Sequence, residues 1–127
     1  VPNGELLTKD PRCELRQGDF FALARTGFDA AAPGRKFDAV LLDIDHSPEH
    51  YLDPGNGSLY NAQGLAAIEG QLKPAGTFTL WSNDPASAAF VAELRKAFRT
   101  ANAHDVEFLN PYTRAVSVNS VYVAQKE

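Results

Sequence analysis

The chain has 127 residues, which suits one compact domain with one hydrophobic core. Its composition, 44% hydrophobic and 22% charged, is typical of a soluble globular protein, and no apolar run approaches the ~20 residues of a membrane span. The formal net charge of −4 argues against a nucleic-acid or membrane partner, which needs clustered Lys and Arg, and is compatible with a cationic small-molecule substrate.

Cysteine and histidine usage narrows the chemistry further. The lone Cys13 excludes an internal disulfide framework and, with no signal-peptide pattern, favours a cytoplasmic location. The 3 His residues are scattered and give no structural zinc pattern. The chain starts at Val1 and contains no Met, so it is either a processed product or a fragment of a longer protein.

The predicted elements begin with a loop that ends at Asp10-Pro11. Residues 12–16 then alternate and predict a short strand with Cys13 and Leu15 on one face. Gly18-Asp19 ends this strand, and one or two turns of helix are expected over residues 20–24.

The clearest strand covers residues 37–43 and ends at a carboxylate, Asp43. Its centre, residues 39–42, is continuously apolar, which is typical of a strand covered on both faces in a parallel sheet. This strand is expected in the middle of the sheet, so that Asp43 reaches the crevice where open α/β sheets place their ligands. The segment 45–58 is rich in Pro, Gly, Asn, His and Asp, and a loop of this length inside a domain is usually functional or mobile.

The rest of the chain completes a layered α/β pattern. The elements are a helix over 59–72, a strand over 77–81, a helix that starts at Asp84-Pro85, and strands over 106–109 and 118–124. Asp84 is expected to be the N-cap of the second helix, and Pro85 its first residue. The pattern predicts a mixed, mostly parallel sheet whose C-terminal strand pair is antiparallel.

Several short motifs follow one another along this pattern. They are Asp10-Pro11-Arg12, Gly18-Asp19, residues 37–43, Ser58-Leu59-Tyr60, residues 72–76 and residues 119–124. In this order they resemble spermidine synthases and related proteins of the class I S-adenosylmethionine methyltransferase fold, over nearly the whole chain. Residues 42–48 and 81–85 resemble bacterial proteins loosely called spermidine synthase.

The resemblance implies a partial Rossmann-like methyltransferase fold. Residues 1–127 would be the carboxyl-terminal part of a single domain, because no Gly-x-Gly-x-x-Gly lies between a strand and a helix. The parent would use S-adenosylmethionine or decarboxylated S-adenosylmethionine to transfer a methyl or aminopropyl group to a small nucleophile. The isolated chain is expected to bind this cofactor weakly and to be inactive. Missing strands would leave unpaired edges, so a homo-oligomer is expected.

The resemblance also assigns roles to individual residues. It places Asp19, with Phe20 beside it, at the adenine amino group; the alternative for Asp19 is a helix N-cap. It makes Asp43 the catalytic carboxylate that binds an amine and accepts its proton, against the alternative of a turn or cap residue. Tyr60 is expected either to line the substrate pocket or to pack in the core.

The sequence departs from the aminopropyltransferase pattern three residues after Asp43. His46 stands where a second Asp is usual, and Asp45 is shifted by one position. A site with one carboxylate fewer grips a polyamine less well, so a related transferase with another nucleophile is favoured, with His46 as a catalytic base and Asp45 against the substrate. A metal site formed by these residues is not expected, because the spacing is generic. His50 is expected to have a surface or packing role.

Two other classes of function stay open. The chain can be a non-catalytic methyltransferase-fold interaction module, in which the fold is kept for assembly. It can also be a nucleotide-binding α/β domain of receiver or flavodoxin-like lineage, although no early acidic cluster or phosphate loop supports this.

Overall fold

The computed structural model describes residues 4–44, 47–50 and 54–127, with the backbone alone described at 54–56. The helices are α1 (Gly4–Lys9), α2 (Phe20–Thr26), α3 (Ala62–Gly70) and α4 (Ala88–Ala97), with a 3-10 helix at Pro54–Leu59; the strands are β1 (Phe37–Leu42), β2 (Leu72–Ser82), β3 (Thr100–Leu109) and β4 (Val116–Gln125). Within these ranges no helix has the length and apolarity to cross a membrane.

The strands of the described chain form one mixed sheet in the order β1-β2-β4-β3. β1 and β2 are parallel, and β4 runs antiparallel to both of its neighbours. The predicted mixed sheet and the predicted antiparallel C-terminal pair are therefore confirmed. β1, β2 and β3 point the same way, but β4 separates β3 from the other two.

One face of this sheet carries the hydrophobic core. The α3 and α4 helices pack against each other and over this face. The most deeply buried side chains come from both layers and include Leu65, Ile68, Phe78, Leu80, Leu94 and Tyr122. Alternation along β2 explains which of its side chains are buried. Phe78, Leu80 and Ser82 point to the helices, while the residues between them point away.

The other face of the sheet has no covering layer in the described chain. Val40 and Leu42 of β1 are buried, whereas Ala39 is exposed and Leu41 is 76% exposed. The prediction that residues 39–42 are covered on both faces is therefore wrong for this structure. A continuous apolar run indicates that both faces suit burial, but the covering layer has to come from elsewhere in the molecule.

The segment before β1 also differs from the prediction. Residues 12–16 form no strand, and Leu15 is exposed. Side-chain ion pairs organise this segment instead: Arg12 binds Asp10, and Arg16 binds both Glu14 and Asp29. Since residues 12–16 form no strand, β1 is an edge strand of the sheet that the described residues form.

Candidate functional site

The carboxyl ends of β1 and β2 lie side by side because the two strands are parallel, with Leu42 opposite Leu80. Open α/β sheets bind their ligands beyond this edge. Asp43 is the first residue after β1, and its side chain is exposed. Asp43 therefore lies at the kind of edge where such sheets bind ligands. The prediction that its strand lies in the middle of the sheet is wrong for the described sheet, in which β1 is an edge strand with β2 as its neighbour. The role of Asp43 as proton acceptor stays a prediction.

A tight turn follows β1 and fixes the position of His50. The backbone N–H of Ser47 donates to the carbonyl of His50, and the N–H of His50 donates back to the carbonyl of Ser47. The hydroxyl oxygen of Ser47, which is 3% exposed, also accepts from the N–H groups of Glu49 and His50, at 3.2 and 2.9 Å. This buried hydroxyl holds the turn in one conformation.

The ring of His50 contacts a carboxylate that follows the neighbouring strand. Its Nδ1 lies 3.0 Å from Oδ2 of Asp84 and 3.2 Å from Oγ of Ser47. The backbone of Asp84 is itself fixed, since its carbonyl accepts from the Ser120 hydroxyl at 2.7 Å. The pair therefore joins the loop after β1 to the loop after β2.

A second contact between the same two loops runs through Ser87. Its hydroxyl donates to Oε1 of Glu49 at 3.0 Å and accepts from the N–H of Phe90, which makes Ser87 the N-cap of α4. Its backbone N–H donates to the hydroxyl of Tyr122 at 2.8 Å. The prediction that Asp84 caps this helix is wrong: the helix starts three residues later, and Asp84 pairs with His50.

At the start of α2, the two carboxylate oxygens of Asp19 have different surroundings. Its Oδ1 accepts from the N–H groups of Phe21 and Ala22, so Asp19 is the N-cap of this helix. Its Oδ2 makes no hydrogen bond within the described part of the chain, and Asp19 is an exposed residue. The ring of Phe20 is half-buried, 5.1 Å from that of Phe28. An open acceptor beside an aromatic ring fits one edge of an adenosyl group; the contact itself stays a prediction.

The structure places the other predicted site residues differently. Tyr60 is buried, with its ring 5.7 Å from that of Phe90, so its body belongs to the core. Asp45 and His46 lie outside the described residues. Among the described residues, no group of three His, Cys, Asp or Glu side chains is placed to hold a metal ion.

One cavity of the described chain lies away from this edge, between α2 and the start of α3. It has a volume of about 370 Å³ and is lined by Phe21, Ala24 and Arg25 on one side and by Leu59, Asn61 and Gly64 on the other. Gly64 permits the first turn of α3 to approach the preceding 3-10 helix closely, because a Cβ there would lie 2.3 Å from the carbonyl oxygen of Ser58. Of the predicted site residues that the structure describes, none lines this cavity.

Sequence reasoning missed the contact between His50 and Asp84. The two residues are separated by 34 positions. In the sequence each has an ordinary local interpretation, His50 as a surface or packing residue and Asp84 as a helix cap. The available signal was topological: one follows β1, the other follows β2, and consecutive parallel strands bring their carboxyl ends together.

Comparison with known proteins agrees with this architecture. No family model matches the chain, and no curated protein sequence matches it. Solved structures with the same fold include spermidine synthase from Thermotoga maritima, at TM-score 0.64 and 20% identity over 97% of this chain and 38% of that one. A spermidine synthase in complex with the transition-state analogue AdoDATO matches at TM-score 0.58 and 18% identity, over 94% of this chain and 36% of that one.

A third solved structure extends the likeness to methyltransferases. Human methyltransferase-like protein 13 in complex with SAH matches at TM-score 0.61 and 16% identity, over 99% of this chain and 55% of that one. The chain therefore has the Rossmann-like fold shared by spermidine synthases and S-adenosylmethionine-dependent methyltransferases, as the sequence predicts. It spans between 36% and 55% of the length of these neighbours.

Proposed function

We propose that this chain is the carboxyl-terminal part of a transferase that uses an S-adenosyl cofactor and works at the edge formed by the ends of β1 and β2. The position of Asp43 carries the proposal: an exposed carboxylate directly beyond β1, next to the end of a parallel neighbour. The fold supports it, since two solved neighbours are complexes with AdoDATO and with SAH.

The chemistry suits a single carboxylate at this edge. A free amine has a pKa near ~10 and is mostly protonated at neutral pH, so it must lose a proton before it can attack. Asp43 can bind the ammonium and accept that proton. When bound, S-adenosylmethionine or its decarboxylated form supplies a carbon activated by a neighbouring sulfonium. Asp19 and Phe20 are proposed to hold its adenine end.

The choice of nucleophile follows from the charge of the site. A polyamine carries several cations and is best held by several carboxylates. His46 stands where the resemblance leads one to expect a second Asp, and so we propose a small nucleophile with at most one cationic group. The transferred group is methyl or aminopropyl.

The test compares two exposed aspartates at opposite ends of β1. The complete gene product is incubated with S-adenosylmethionine or decarboxylated S-adenosylmethionine and a probe nucleophile with at most one cationic group, butylamine or catechol, and the adenosyl thioether product is measured. We expect Asp43→Asn to lower kcat by roughly 10²–10⁴-fold, the usual contribution of a positioned base. Asp38→Asn is the control, because Asp38 is exposed at the start of β1 and pairs with Lys73. Equal effects of the two substitutions would contradict the proposal.

A second candidate function rests on the uncovered face of the sheet. Leu41 is 76% exposed there and Phe108 is 40% exposed, and the outer edge of β1 has no neighbouring strand in the described sheet. We propose that a second copy of the chain covers this surface, which would make the chain a homo-oligomer or a non-catalytic interaction module. Light scattering at micromolar concentration tests this, and a monomer would contradict it.

A further inference from the structure

Among the residues that the structure describes, the ring of His50 is held through one nitrogen. Both of its polar contacts, Oδ2 of Asp84 at 3.0 Å and Oγ of Ser47 at 3.2 Å, involve Nδ1. An ionised carboxylate can only accept hydrogen bonds, so the neutral ring carries its proton on Nδ1. Its Nε2 then has a free lone pair, and the side chain is 72% exposed.

This arrangement differs from a nucleophilic Ser-His-Asp triad. In a triad the serine contacts Nε2 while the carboxylate contacts Nδ1. Here Ser47 and Asp84 share Nδ1, and Ser47 is 3% exposed and engaged with the turn backbone. Ser47 therefore positions the ring and does not attack a substrate.

We propose that His50 is a general base whose Nε2 takes the proton of the attacking nucleophile, with Asp84 as its positioning residue. The inference rests on the proposed function and adds to it the substrate class, a hydroxyl or amine that still carries a proton when it attacks. Both loops that form the pair follow parallel strands at the edge where Asp43 lies, so the base and the predicted ammonium-binding carboxylate belong to one side of the molecule.

The step balances without any further reactant. The nucleophile's lone pair forms the new bond to the carbon attached to the sulfonium, and the electrons of the broken carbon–sulfur bond stay on sulfur as a neutral thioether. The proton leaves the nucleophile for Nε2 of His50. The resulting imidazolium faces the carboxylate of Asp84, with Glu49 held nearby in the same turn by Ser87.

The kinetic test uses the complete gene product with the donors and probe nucleophiles named above. We expect His50→Gln to lower kcat by roughly 10²–10⁴-fold while KM for the donor stays unchanged. Asp84→Asn should lower kcat less, by at least about tenfold. His104→Gln is the control, since His104 is an exposed histidine on β3. An active wild type whose kcat is unchanged in His50→Gln would overturn this inference and leave the proposed function intact. A wild type that forms no thioether would instead contradict the proposed function.

A second measurement on the 127-residue chain needs no cofactor or nucleophile. Long-range ¹⁵N NMR reports which ring nitrogen carries the proton in a neutral histidine. We expect His50 to be protonated on Nδ1, and His104 to show the Nε2–H form that solvated imidazoles favour. In Asp84→Ala, His50 should revert to that form. Protonation of His50 on Nε2 in the wild type would overturn the inference, whatever the kinetics show.

Discussion

Both faces of the sheet carry large apolar side chains, but the two faces have different surroundings. On the covered face, Phe78 and Leu80 are fully buried beneath α3 and α4. On the other face, Leu41 and Phe108 of the same sheet face outward with no described cover. The covered face supplies the stability and fixes the two loops that carry His50 and Asp84. The open face adds little to the stability of one chain and is available for contact with another.

The sharpest test of this difference uses neighbouring leucines of β1. Leu42 is 4% exposed on the covered face, and Leu41 is 76% exposed on the open one. We expect Leu42→Ala to lower the free energy of unfolding by about 2–5 kcal/mol, because it leaves a cavity in the core. Leu41→Ala should change it by less than about 0.5 kcal/mol. Urea denaturation measures both, and similar losses would show that the open face is covered.

The attachment of α2 to the covered side depends on one buried amide. The side chain of Gln71 donates to the carbonyls of Leu23 and Ala24, at 3.0 and 2.7 Å, and accepts from the N–H of Phe28 at 2.7 Å. We expect Gln71→Ala to cost about 1–3 kcal/mol, since it leaves these groups without partners.

The matched control is Gln125→Ala, because Gln125 is exposed and makes one long hydrogen bond, at 3.3 Å. It should change the free energy of unfolding by less than about 0.5 kcal/mol. Hydrogen exchange of the α2 amides distinguishes local release from global loss. Unchanged protection in Gln71→Ala would show that α2 is held by its aromatic contacts instead.

A charged substitution on the open face should change the association of the chain without changing its folding stability. Leu41→Lys places an ammonium on the surface that we propose a second copy covers, where burial of an unpaired charge is costly. We expect sedimentation velocity to show the chain shifted to monomer, with the urea midpoint little changed. Equal association of variant and wild type would exclude this face as the interface.

The smallest expected effect lies outside the sheet, at Asp29. This carboxylate contacts Arg35 and Arg16, and the hydrogen bond from Arg35, followed by that from Arg16, holds the pKa of Asp29 below its ordinary value. A lowered carboxyl pKa stabilises the folded state above the ordinary value near 3.8, and this stabilisation is lost as the pH falls through the lowered pKa.

Asp29→Asn should therefore be slightly less stable than wild type at neutral pH. The difference in urea midpoint should shrink as the pH falls below the ordinary carboxyl value. A difference that stays constant across this range would mean that the ion pairs of Asp29 contribute nothing to stability, as is common for surface pairs.

The features of the fold that could be predicted from the sequence are those that follow from the local periodicity of apolar residues. The strand that ends at Asp43 and the stripe of α4 with Phe90 and Leu94 are visible in the spacing of apolar residues, and both form. The strand predicted at residues 12–16 does not form, because its short alternation has no partner strand in the described sheet. Its two arginines pair instead with Asp10, Glu14 and Asp29.

The site was only partly predictable for a related reason. The position of Asp43 follows directly from the end of a strand, and the cap at Asp19 follows from the preference of helix N-caps for Asp. The contact between His50 and Asp84 depends on how two loops meet in space, and each residue on its own has a simpler explanation. A contact of this kind becomes visible once the parallel pairing of β1 and β2 is known.

The most direct test of the central claim is an NMR titration of the labelled 127-residue chain with S-adenosylhomocysteine. The proposal that the ends of β1 and β2 form the ligand edge predicts weak binding, with shifted amides clustered around Asp19, Asp43 and His50. Shifts centred on the open face near Phe108, or no shifts at millimolar ligand, would contradict it.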